Sequence, residues 1–105
     1  MSYEAICEKH GLWIDHTGGG CSNWVYGSRA HCFSGFTVWV ERLNSHRLDD
    51  DDRAPKEGVD IALEDNADDN WAVCWAAYSE TEFETLLTNA IQICDAMNRQ
   101  RSNHA

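Results

Sequence analysis

The chain has 105 residues and a mass of 11.9 kDa, one domain's worth of sequence, which excludes a multidomain enzyme. Eight Lys and Arg stand against eighteen Asp and Glu, a formal net charge of −10. That balance disfavours nucleic acid and anionic membranes as direct ligands, because counterion release needs clustered cations, and it points to basic partners.

No apolar stretch approaches the roughly 18 residues that cross a bilayer. The segment from Met1 to His10 is charged and does not read as a signal peptide, so a cytoplasmic location is expected. Five Cys, an odd number, and no Asn-x-Ser/Thr acceptor argue for reduced thiols rather than a disulfide scaffold.

Tyr3, Ile6, Cys7 and His10 recur at helical spacing with Glu4, Glu8 and Lys9 opposite, which predicts a helix over 3–10. Ser2 is its expected N-cap. Gly11 stands where a left-handed C-cap residue is wanted, with Leu12 folding back over the last turn. From 15 to 35, the Gly18-Gly19-Gly20 run and the short apolar piece Trp24-Val25-Tyr26 read mainly as loop.

Residues 36–43 alternate Phe36, Val38 and Val40 against Thr37, Trp39 and Glu41, which predicts a strand. Residues 44–57 carry four consecutive Asp and the only Pro, a solvated connection. A second strand follows over 58–64, with Val59, Ile61 and Leu63 inward and Asp60, Ala62 and Glu64 outward. Turn formers over 65–70 lead to a returning strand over 71–78, with Trp71, Val73 and Trp75 on its core side.

Ser79 and Glu82 form a capping box. Phe83, Leu86, Leu87, Ala90, Ile91, Cys94 and Met97 then recur at steps of three and four, the signature of a long amphipathic helix. The expected fold class is α+β: a short N-terminal helix, a three-stranded antiparallel sheet, and a long C-terminal helix packed on one face, all in one domain over 1–105.

Several residue groups bear on chemistry. Cys7, His10, Cys21 and Cys32 (or His31 in the last place) could close a tetrahedral zinc site, although His31-Cys32 are adjacent and cannot easily chelate one ion; the alternative is that Cys7 packs as a small core hydrophobe. A Cys nucleophile with a His base needs only two residues brought together by the fold, but nothing singles out one thiol. Nucleophile-elbow, phosphate-loop and His-Glu-x-x-His patterns are all missing from the sequence. Neither acidic run has the ligand spacing of a calcium loop, and no cofactor is implied.

Charge distribution says more. Residues 49–84 hold thirteen acids against Arg53 and Lys56, so this window carries −11 and the rest of the chain +1. A charge of about 2–8 in magnitude already keeps a small domain soluble, and this chain exceeds it in one place. Tryptophan is also abundant, at five residues. Trp39, opposite the apolar face of its strand, and Trp24, among loops, are the expected partner-facing anchors.

A small acidic chain with these traits resembles the phage-encoded inhibitors that include anti-CRISPR proteins and DNA mimics. The resemblance implies that Asp49, Asp50, Asp51, Asp52, Asp65, Asp68 and Asp69 stand in for phosphates. The expected partner is then a protein with a positively charged nucleic-acid-binding surface, a Cas or restriction component, with no direct binding to nucleic acid or membrane and with a homodimer possible. The other two readings are a zinc-stabilised adaptor and a small Cys-dependent enzyme.

Overall fold

A computed structural model of the chain describes residues 2–18, 21–42, 58–67 and 72–103. The first helix, α1 (Tyr3–Lys9), begins as expected, with the Ser2 hydroxyl accepting from the Ala5 amide at 3.1 Å. It ends in a Schellman motif: the Gly11 amide donates to the Glu8 carbonyl and the Leu12 amide to that of Cys7. Gly11 has φ +81°, a conformation that costs Gly nothing, and Leu12 is folded back and buried.

Five strands follow rather than three, all antiparallel and in the sequential order β1 to β5. Residues 15–35, expected as loop, contain most of β1 (Trp13–Gly18), then β2 (Cys21–Tyr26) and a single-turn helix α2 (His31–Ser34). Trp13 to Thr17 does not alternate, since two apolar residues are followed by polar Asp15, His16 and Thr17, and this hides the strand in the sequence. Gly18 stands opposite Cys21, so β1 and β2 pair antiparallel right up to Gly18 and Cys21, while Gly19 and Gly20 of the glycine run lie outside the described residues. The other strands, β3 (Phe36–Arg42), β4 (Val59–Asp65) and β5 (Ala72–Ala77), fall within one or two residues of their expected bounds.

α3 (Glu80–Asn103) has 24 residues, about 36 Å of helix. At its start the Ser79 hydroxyl accepts from the Glu82 amide, while the Glu82 carboxylate accepts from the Tyr78 amide, one residue earlier than the standard box. Its apolar stripe of Phe83, Leu87, Ala90 and Cys94 is fully buried against Phe36, Val38 and Val40 of β3 and Val59, Ile61 and Leu63 of β4. α1 completes this layer through Ile6 and Cys7, with Tyr3 edge-on to Phe83 at 5.2 Å. Trp75 packs against the same core; Val73 shares its face yet is 43% exposed, and Trp71 lies outside the described residues.

Polar contacts lock the second half of α3. The Tyr26 hydroxyl donates to both Asp95 carboxylate oxygens, at 2.8 and 2.9 Å. Asn98 accepts from the Phe36 amide and donates to its carbonyl, and Arg101 forms a two-pronged ion pair with Asp65. Gly35 leaves room for Asn98: a Cβ there would stand 2.8 Å from Asn98 Oδ1 and 2.7 Å from His31 Cδ2.

Candidate functional site

Strand alternation sends one set of side chains to the helices and the other to an outer face. Pairing Trp13 with Val25, Val25 with Trp39, Trp39 with Ala62, and Ala62 with Cys74 builds one row across all five strands. Glu41 opposes Asp60 on one side of this row, and Thr37 opposes Glu64 on the other. Trp39 is half-buried at the centre, its indole N–H donating to Thr37 Oγ1 at 2.8 Å. Three carboxylates thus surround one tryptophan.

Among the described residues none of Glu41, Asp60 and Glu64 has an ion-pair partner, and Glu41 stands directly opposite Asp60. Burial pushes the Asp60 carboxyl above its ordinary value, and burial followed by the Glu41 charge does the same to Glu64. A raised carboxyl means that the folded protein holds protons the unfolded chain has released. Its stabilising contribution is complete below the ordinary values of 3.8 and 4.5 and is lost as pH rises through the raised ones. Replacing both residues (Asp60→Asn, Glu64→Gln) is therefore expected to raise the melting temperature at pH 7, with the gain shrinking toward pH 4. Thermal unfolding of the two proteins at both pH values checks this. Glu84, whose carboxyl is lowered by hydrogen bonds from Lys9 and His10, behaves oppositely, losing its contribution as pH falls, but it is common to both proteins.

The expected site residues separate. Asp65 is 4% exposed on the helix face, paired with Arg101 and accepting from the Ala67 amide, so it is no part of an open acidic surface. Trp24 pairs with Val40 and packs against the core, so it is not an outer-face anchor either. Trp39 does occupy the outer face. Asp49 to Asp52, Asp68 and Asp69 lie outside the described residues.

Trp13 joins that face from a strand that was read as loop, its indole donating to the Gly27 carbonyl and its ring stacked under Arg29 at 4.5 Å. Glu41, Asp60 and Glu64 were legible as outward-facing; what single strands did not reveal was the register that gathers them around Trp39.

The zinc and thiol readings meet a geometric obstacle. Cys7 is buried in the helix-side core, whereas Cys32 feels the charges of Asp15, Arg29 and Glu64, which belong to the other side of the sheet. His10 is held by Glu84 at 2.9 Å. The side chain of Cys21 is outside the described set, and no group of three or more His, Cys, Asp or Glu among the described residues is placed to hold a metal.

Burial pushes the thiols of Cys7 and Cys94 up to about 12 and raises those of Cys32 and Cys74, so all four are protonated at neutral pH and poor nucleophiles. Among the described residues, two solvent-open grooves lie along α3. In the one lined by His31, Asp95, Asn98, Arg99 and Ser102, about 380 Å³ in volume, His31 Nδ1 faces the Asn98 amide at 3.5 Å and makes no hydrogen bond to Ser102. The other, about 350 Å³, is lined by Thr81, Glu84, Thr85, Thr88 and Asn89.

No helix among the described residues is long and apolar enough to cross a membrane. No protein-family model, curated protein or solved structure matches the chain.

Proposed function

We propose that the protein is an acidic binding module that occupies the positively charged groove of a nucleic-acid-binding protein, in the manner of an anti-CRISPR or DNA-mimic inhibitor of a Cas or restriction component. The observation that carries this reading is the set of carboxylates, Glu41, Asp60 and Glu64, that share one sheet face with Trp39 and have no ion-pair partner among the described residues. Holding like charges together on a partly desolvated surface costs stability, and a cationic partner offsets that cost on binding. Trp39 supplies the rigid apolar contact that an electrostatic surface lacks. Asp49 to Asp52, Asp68 and Asp69 add negative charge within the same window of the sequence. Asp65 contributes to the fold instead.

The test immobilises the wild-type protein and a Glu41→Gln, Asp60→Asn, Glu64→Gln variant and compares what each captures from a bacterial extract. The expected result is a nucleic-acid-binding protein, released by duplex DNA and by rising salt, whose association rate falls on the order of 10-fold with the variant. Trp39→Ala should instead speed dissociation. Capture that ignores both competing DNA and the triple substitution refutes the reading.

A further inference from the structure

β5 is an outer strand of the sheet, and its six residues, Ala72–Ala77, include no charge, Pro or Gly. Edge strands normally carry such a protection, because their free N–H and C=O groups template another strand. β1, at the other edge, has it: the charged Asp15 lies within the strand, and the register shifts between His16 and Gly18.

Exposed apolar groups concentrate at the unprotected edge. Four large hydrophobic side chains are exposed among the described residues, and besides Ile14 they are Val73 on β5, Tyr78 just after it, and Ile93 on α3. The contacts of α3 place Ile93 there too. Asp95 and Glu84 mark the flank that meets Tyr26 and α1, and at 100° per residue Leu86, Ile93 and Met97 fall on the opposite flank, beside β5.

We propose that β5 pairs antiparallel with β5 of a second copy about a two-fold axis perpendicular to the sheet, joining two sheets edge to edge and bringing the two Ile93 flanks together. A strand edge is complementary to an antiparallel copy of itself, and because β5 carries no charged residue no like charges face each other directly across the new strand pair. Keeping both α3 helices on one side requires residues of the same parity to face each other. The longest overlaps then place Cys74 opposite either Cys74 or Ala76 of the second copy. Both acidic outer faces become one continuous surface, although the pairing does not depend on the functional reading.

The tests are light scattering and cross-linking of the purified chain. Wild type is expected at twice the 11.9 kDa chain mass. Val73→Lys with Ile93→Lys, both at exposed positions, is expected at the chain mass with unchanged circular dichroism. In a Cys21→Ser, Cys32→Ser background, a short bismaleimide should yield a covalent dimer through Cys74. That product should vanish in Cys74→Ser while the noncovalent dimer remains. A wild type that stays at the chain mass at millimolar concentration overturns the proposal. So does a dimer that survives both lysines, or one whose Cys74 residues react with a monofunctional maleimide yet fail to cross-link.

Discussion

Leu87→Ala is expected to lower the unfolding free energy by about 2–5 kcal/mol, a large share of the stability of a domain this size. Leu87 is fully buried on the central line of α3, between Phe83 and Ala90, and the wall it meets is made of β-branched and aromatic side chains from β3 and β4. Two strands joined in register to further strands cannot move into the space a truncated side chain leaves. The cavity therefore persists, and its cost adds to the lost transfer free energy. Urea denaturation of both proteins reads the difference, and a loss below about 0.5 kcal/mol would show that α3 does not anchor the sheet.

Arg101→Ala is expected to cost about 3 kcal/mol, at the lower end for breaking a buried pair because the guanidinium is partly exposed. Its two N–H groups meet Asp65 at 2.8 and 3.0 Å, and its plane lies over the Phe36 ring at 4.2 Å. Removing it takes a two-pronged cation away from a carboxylate of 5% side-chain exposure. Asp65→Asn in the same chain should recover part of the loss, so the double variant should be more stable than the sum of the single changes predicts. Strict additivity in denaturant titrations would show that the pair is not coupled. For the same reason Asp65 is unsuitable for testing partner binding, because its substitution perturbs the fold.

Local chemistry made several elements readable in the sequence. The Ser2 cap, the Gly11 terminus with Leu12 folded back, the Ser79–Glu82 box, and the three-and-four spacing from Phe83 to Met97 each involve residues within a turn or two of one another. The alternation of β3 and β4 was equally plain, and with it the outward orientation of Trp39, Asp60 and Glu64. β1 and β2 were not. Their apolar residues are split between two faces that are both covered in places, as the fully buried Val25 on the outer face shows, so neither strand gives a clean two-residue period.

Composition and local pattern by themselves determined an acidic α+β chain with a long amphipathic C-terminal helix. Only the tertiary structure decided which acids act together. Asp65 and Glu64 are neighbours in sequence, yet the strand turns one toward Arg101 and the other toward Trp39. Whether a carboxylate becomes a structural ion pair or part of an exposed negative surface depends on which residues face it across the sheet. Strand register sets those partners, and it arises from pairing between segments far apart in the chain.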